Sequence, residues 1–408
     1  MTSARERANR SAVDALVASD PVLVGIESAG AAMGLPRTTV LTSGPTMPFA
    51  SYTGGQRAAI VGGALYEGLA LDEASAVAAL EGGRIAVRGC QEFGCVGSLA
   101  GVTTASMPVV VVVDEASGRR AFCTLYEGDS ADRLNYGTYT SATRANLENL
   151  RLRVAPALHA LIVSQTEPLR LKPLMIRALA MGDELHSRNA AATLLFLRRL
   201  LTGSKQPGEH LEAGLDSLCD DYFFLRLSMA ASKVMGNAMR GFEGSSVVTA
   251  MAFSCAEFGI QVSGTGDTWF TGPLPTFEAF RLEPGYDTSD MEFMGGESII
   301  TEVVGLGGLA QAAGLPLHRS SGQDSSRMIA RTTAMYDITV TESPEFLIPV
   351  LDYRGTPLGL DVEKVQRTGV TPYLDIGIAG SSGRQIGGGV AQAPLEPFTQ
   401  AWEALMAT

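Results

Sequence analysis

The order of apolar and polar side chains changes texture twice along this chain. Near the start Val13, Leu16 and Val17 share one helical face, and the run stops at Asp20-Pro21, where the residue before proline is pushed out of the helical region. Short β-branched runs then alternate with longer amphipathic ones. Residues 22–26 and 38–41 read as strands, and 55–69 and 72–81 as helices, the second with acids in its first turn that suit the helix dipole. Residues 108–113, the Ala116-Ser117-Gly118 turn and residues 121–126 predict a hairpin, and 144 to about 164 predicts a helix that closes this first unit. From 169 to 202 apolar residues recur at helical spacing, and after a break at 203–208 a second helical stretch runs from 211 to 239. Beyond Gly241 Val- and Ile-rich runs return between glycine clusters, at 247–253, 259–262, 338–340 and 346–351, and an amphipathic helix over 396–406 ends the chain. The pattern predicts a multi-domain α/β (α+β) protein: α/β domains over 1–165 and 241–408 with a helical segment, 166–240, between them.

Length agrees, since 408 residues are more than one core usually holds. With 31 basic against 43 acidic side chains the formal charge is -12, and no Lys/Arg block is dense enough to neutralise a run of phosphates, which argues against a nucleic-acid partner. The most insistent apolar run, 108–113, is far short of the roughly 20 residues that span a bilayer, and residues 1–10 are polar; no membrane or export address is expected. Five scattered cysteines, an odd number, fit a reducing compartment, so the expected location is cytoplasmic. Glycine is abundant, at 46 residues, without a repeating period, and marks turns and close backbone approaches.

The sharpest local feature is Met181-Gly182-Asp183-Glu184-Leu185-His186-Ser187-Arg188-Asn189, a polar cluster inside an apolar helical run. Continued as a helix, it sets Asp183 beside His186 and Glu184 beside Arg188, with Asn189 close to the histidine. A carboxylate orienting a histidine is general acid–base geometry, whereas a self-satisfied polar knot between helices uses the same residues. The spacing is not that of a zinc peptidase, and Cys90 and Cys95 lack a second pair, so neither a metal nor a cofactor is expected. Gly264-Thr265-Gly266-Asp267 follows a strand-like run and offers backbone N–H groups to an anion, or is simply a tight turn. Ser245 and Ser246, the Gly295-Gly296-Glu297-Ser298 turn and Gly387-Gly388-Gly389 add further candidate loops for a shared cleft, and Cys90 and Gln91 stand at a strand end where α/β active-site loops gather. His159, His210 and His318 stand alone and read as structural or surface residues.

Residues 181–193, 243–252, 257–271 and 348–362, together with Arg384-Gln385-Ile386-Gly387-Gly388-Gly389, closely resemble the bacterial YlbE/YahG-like family, from about Pro21 onward. The resemblance implies a three-part α/β protein with a helical insert, like the AllG-type subunits associated with oxamate carbamoyltransferase, which work beside an FdrA-like subunit. It implies a small-molecule substrate such as carbamoyl phosphate or a carbamoylated amide, a homo-oligomer, catalytic roles around Asp183, Glu184, His186, Arg188 and Asn189, and substrate contacts that include Glu297 and Arg354. The family pattern carries arginine where this chain has Phe253, Gln261 and Thr268, and histidine where it has Gln91, Glu92 and Gly380. Missing guanidinium groups remove partners for carboxylate or phosphate, so the expected acceptor is a small amide or amine other than oxamate. A non-catalytic scaffold subunit and a small-amide hydrolase are the alternatives.

Overall fold

A computed structural model describes residues 3–205, 220–319 and 324–407. His210, Cys219 and the start of the second helical stretch lie outside these residues.

The first helix, Ala4–Ala18, starts where Ser3 and Glu6 cap each other, with Glu6 N donating to Ser3 Oγ at 3.0 Å and Ser3 N to Glu6 Oε2 at 2.6 Å. It buries Ala12, Val13 and Leu16. The predicted hairpin forms as Pro108–Asp114 and Arg120–Thr124, and Pro21–Ser28 and Leu169–Arg170 complete an antiparallel four-stranded sheet. Thr39–Thr42 and Ala86–Gly89 pair in parallel, as two strands joined through the helices Gly54–Tyr66 and Glu73–Glu81 must. The helix expected over 144–164 is interrupted: Ser141–Asn149 and Ala155–Val163 are α-helical, and Leu150–Val154 between them is a wider π turn. The stretch expected as one helical run from 169 opens with the short strand Leu169–Arg170 and continues as two helices, Lys172–Ala180 and Ala190–Gly203.

The helix Leu225–Ala238 is the pivot of the molecule. Every residue of it except Asn237 is buried. It packs on the hairpin strands Pro108–Asp114 and Arg120–Thr124, on Ala4–Ala18, on Val248–Phe253 and on the short helix Ile300–Val303. Small residues permit this close approach: a Cβ on Gly236 would sit 2.9 Å from the Thr249 carbonyl oxygen. Beyond it lie three further antiparallel sheets, the three-stranded Val248–Phe253, Phe258–Val262 and Phe270–Gly272, the pair Thr339–Ile348 and Arg354–Leu360, and a four-stranded sheet in the order Thr276–Leu282, Gln385–Gln392, Tyr373–Gly380, Met291–Glu292. The architecture is thus a multi-domain α/β fold of α+β type, whose main apolar core runs from Ala12 to Leu405 with two smaller clusters beside it. Among the described residues no helix is long and apolar enough to cross a membrane.

Lys233 on the pivot helix is fully buried, donating from Nζ to Gln91 Oε1 at 2.7 Å, and burial lowers it to about 7. Below that value the lysine is charged in both folded and unfolded chains and the full desolvation penalty acts; from about 7 up to 10.5 the folded chain sheds the proton first and the penalty fades. Lys233→Met is therefore expected to stabilise the protein near pH 6, on the order of 1–2 kcal/mol, and to gain less near pH 9. Urea unfolding at the two pH values reads the difference.

Candidate functional site

Residues 181–189 form a tight turn between helices. Gly182 has φ 104° and Leu185 φ 70°, conformations that end a right-handed helix. The two pairings expected on a helical face are replaced by others. Glu184 Oε1 accepts from the backbone N–H of His186 at 3.2 Å and from that of Ser187, and its Oε2 from Arg188 N at 3.0 Å. Asp183 Oδ2 accepts from Ala192 N at 2.8 Å, and its other oxygen lies 3.2 Å from Arg188 Nε. Asn189 Nδ2 donates to the His186 carbonyl at 2.7 Å. Asp183, Glu184 and Asn189 are buried and face the turn's own backbone, which short polar side chains satisfy more readily here than a helix would. Burial, with Asp375 and Asp183 nearby, pushes the Glu184 carboxyl well above the usual carboxylate range.

One residue of the turn looks elsewhere. His186, with Ser187, lines a cavity of about 830 Å³ whose walls come from Ser98 to Tyr136, from Asp220 to Arg226 and from Arg281 to Gly389 as well. His186 Nδ1 lies 2.8 Å from Glu302 Oε1. That carboxylate is itself fixed, accepting from Gly308 N and Asp375 N at 3.0 Å each on Oε1 and from Thr301 Oγ1 at 2.8 Å on Oε2. With Nδ1 engaged, Nε2 is the nitrogen left for the cavity. Burial opposes a charged ring, but the Glu302 carboxylate outweighs it and holds the His186 pKa above its ordinary value. Asp375 lines the cavity too: Gln311 Nε2 donates to its Oδ1 at 2.6 Å, and Oδ2 has no partner among the described residues. Burial, and then Glu302, raise Asp375 to about 7.

Another part of the wall is cationic. Arg133 and Arg226 are both buried and both line the cavity, their guanidinium carbons 6.0 and 5.9 Å from the Tyr126 ring. Arg133 Nη1 donates to the Gly128 carbonyl at 2.9 Å, and its group lies 4.3 Å over the Tyr136 ring. Arg226 Nη2 donates to the Asn135 side-chain oxygen at 2.7 Å, while the Asn135 amide nitrogen donates to Glu127 Oε1 at 3.1 Å. Arg226 Nε and Nη1, and Arg133 Nε, carry no hydrogen bond among the described residues. The Cys123 sulfur also lies beside the Arg226 guanidinium; burial raises that thiol to about 12 and so keeps it neutral.

Most of the remaining candidates do not converge there. Cys90 is buried with Sγ donating to the Gly101 carbonyl at 3.3 Å, and Gln91 Nε2 donates to the Met251 carbonyl at 3.2 Å. Ser246 Oγ donates to Asp361 Oδ1 at 2.7 Å, and Ser245, buried beside it, is equally remote from the cavity. In the Gly264 to Asp267 turn, Thr265 Oγ1 donates to the Val262 carbonyl at 3.1 Å and Asp267 pairs with Arg240; Gly264 and Gly266 complete the turn without reaching the cavity wall. Arg354 lies 3.4 Å over the Tyr336 ring and 2.7 Å from Glu342. Glu297 takes Gly97 N at 2.7 Å and Gly44 N at 3.3 Å and ties two loops together, with burial raising it to about 8; its neighbour Ser298 reaches the cavity. Gly387, Gly388 and Gly389, expected in a turn, lie inside the strand Gln385–Gln392 and line the cavity. A Cβ on Gly389 would come within 2.6 Å of the Ala279 carbonyl oxygen, so glycine here serves strand approach. Phe253, Gln261 and Thr268 are absent from the cavity wall. Among the described residues no three of His, Cys, Asp and Glu are grouped so as to hold a metal ion.

The comparisons with known proteins agree with one another. Residues 85–298 match the family model described as oxamate carbamoyltransferase subunit AllG. The chain is 36% identical over 381 residues to the oxamate carbamoyltransferase subunit AllG of Escherichia coli (strain K12), covering 90% of this chain and 89% of that one. It is 34% identical over 404 residues to the uncharacterized protein YahG of the same organism, covering 97% and 84%. A crystal structure of a conserved protein of unknown function from Enterococcus faecalis V583 is similar throughout, with a TM-score of 0.93 and 34% identity over 99% of this chain and 98% of that one. On these grounds, and with the fold agreeing from end to end, the chain belongs to the AllG family.

Proposed function

We propose that this chain is a carbamoyltransferase subunit and that the cavity is where a carbamoyl group passes between phosphate and the nitrogen of a small amide or amine. The name of the Escherichia coli relative supports the reaction class. The observation that carries the reading is the His186–Glu302 contact of 2.8 Å, which leaves an oriented imidazole on a polar cavity.

In the transfer direction the acceptor nitrogen attacks the carbamoyl carbon. A C–N bond forms, the C–O bond to phosphate breaks, and the proton lost by the acceptor nitrogen goes to His186 Nε2; the reverse reaction returns it. Glu302 positions the ring and stabilises the imidazolium. Asp375 supplies a second titrating group at the cavity wall. We assign to Asp183, Glu184, Arg188 and Asn189 the holding of the turn that presents His186. An FdrA-like protein is the proposed partner, alongside self-association.

The test is acceptor-dependent phosphate release from carbamoyl phosphate by the purified full chain, with and without an FdrA-like subunit, across a panel of small amides and amines. Release with a defined acceptor is expected. No release with any acceptor, alone or with a partner that still binds, would favour the scaffold. Ammonia release from one of the amides that needs no carbamoyl phosphate would favour hydrolysis. Because the reacting form is the neutral imidazole and Glu302 raises its pKa, kcat/KM for transfer is expected to climb with pH through a value above 6.5. The apparent pKa belongs to the interacting His186 and Asp375 as a pair.

A further inference from the structure

We propose that Arg226, with Arg133 beside it, forms an oxyanion-binding site in the cavity, the receptor for a carboxylate or phosphoryl group of the substrate. The inference deepens the reading above and rests on its cavity, but not on the transfer reaction.

Arg226 is 3% exposed and brings a guanidinium cation into the interior. A cation so deeply buried is normally paired with an anion and has its donors filled. Here one nitrogen donates to a neutral amide, while Nε and Nη1 have no hydrogen bond. Glu127 lies within electrostatic reach of both guanidinium groups, but its hydrogen bonds go elsewhere, to Leu134 N at 2.7 Å, Asn135 N at 3.1 Å and the Asn135 side-chain amide, and burial raises its carboxyl above the usual range. Arg133 adds a second buried guanidinium with an idle Nε, and its acidic partner Asp129 is exposed and 3.8 Å away. Two buried cations with idle donors on one cavity wall describe a site completed by a small anion, and planar guanidinium groups suit carboxylate and phosphate oxygens. The Tyr126 and Tyr136 rings hold the cations in place without neutralising them. Phe253, Gln261 and Thr268, where the family pattern carries arginine, lie away from this wall, so the site proposed here does not depend on those positions.

The probes are inorganic phosphate, oxamate and the neutral diamide oxamide, read on the full chain by thermal unfolding and titration calorimetry at constant ionic strength. Phosphate, oxamate or both are expected to raise the unfolding midpoint of the parent protein, and oxamide is not. Arg226→Met is expected to weaken that binding about ten- to hundredfold, the loss that one charged hydrogen-bonding partner brings. Without ligand this variant is expected to unfold no earlier than the parent, an outcome that a purely structural arginine does not give. Should Arg226→Met fail to fold, Arg226→Lys, which keeps the charge but loses the planar fork, reads the same loss at smaller size. An effect confined to phosphate assigns the site to the phosphoryl end of the donor; one confined to oxamate assigns it to an acceptor carboxylate. The proposal is overturned if neither anion binds the parent protein, or if both bind the Arg226 variants as tightly as the parent. Anion binding by the parent protein without any carbamoyl transfer would leave this site standing and remove the reaction.

Discussion

Replacing His186 by alanine is expected to lower kcat for carbamoyl transfer by about 10²- to 10⁴-fold, the range that one positioned acid–base group contributes. Its ring contacts Glu302, and the turn that carries it is held by Glu184, Asp183 and Asn189 instead. The variant should therefore stay folded and keep its affinity for phosphate or oxamate. Glu302→Gln separates positioning from charge. It keeps a polar contact to Nδ1 but removes the negative charge that raises the ring's pKa, so the pH limb of kcat/KM should move toward lower pH. An unchanged limb in that variant, or transfer that survives His186→Ala undiminished, removes the histidine from the mechanism.

Glu184→Ala should fail in the opposite manner. Three consecutive backbone N–H groups, those of buried His186 and half-buried Ser187 and Arg188, converge on the buried side chain of this one residue. Each buried donor left without an acceptor costs about 1–3 kcal/mol, so a loss on the order of 4 kcal/mol is expected in urea unfolding, offset in part by relief of the carboxyl's own desolvation. Activity per folded molecule should fall as well, because the turn that aims His186 loosens. A Glu184→Ala protein as stable as the parent yet inactive would return this residue to a direct chemical role.

How far these assignments are legible in the sequence differs by kind. The hairpin around Gly118, the capped helix after Asp72 and the terminal helix are local, and periodicity with turn chemistry finds them. The 181–189 cluster stands out because polar residues interrupt an apolar run, but its geometry was hidden. Apolar spacing continues across it, and only Gly182 signals that the chain turns there. His186 could be singled out, yet its partner Glu302 is 116 positions away, a pairing that no local pattern encodes. Arg226 and Glu302 did leave a trace, each being a lone charge inside an apolar stretch, Leu225-Arg226-Leu227 and Thr301-Glu302-Val303. Glycine-rich loops misled for a physical reason: glycine serves close strand approach at Gly389 and helix approach at Gly236 as readily as it serves an anion.

The cavity borrows its walls from stretches near residues 98–136, 186–226 and 281–389, with the buried Leu225–Ala238 helix threading between them. It follows that removing either half of the protein should extinguish the chemistry outright instead of trimming it. Two halves produced separately, divided near Gly241, should each be inert and recover function together only by reassembling into the whole.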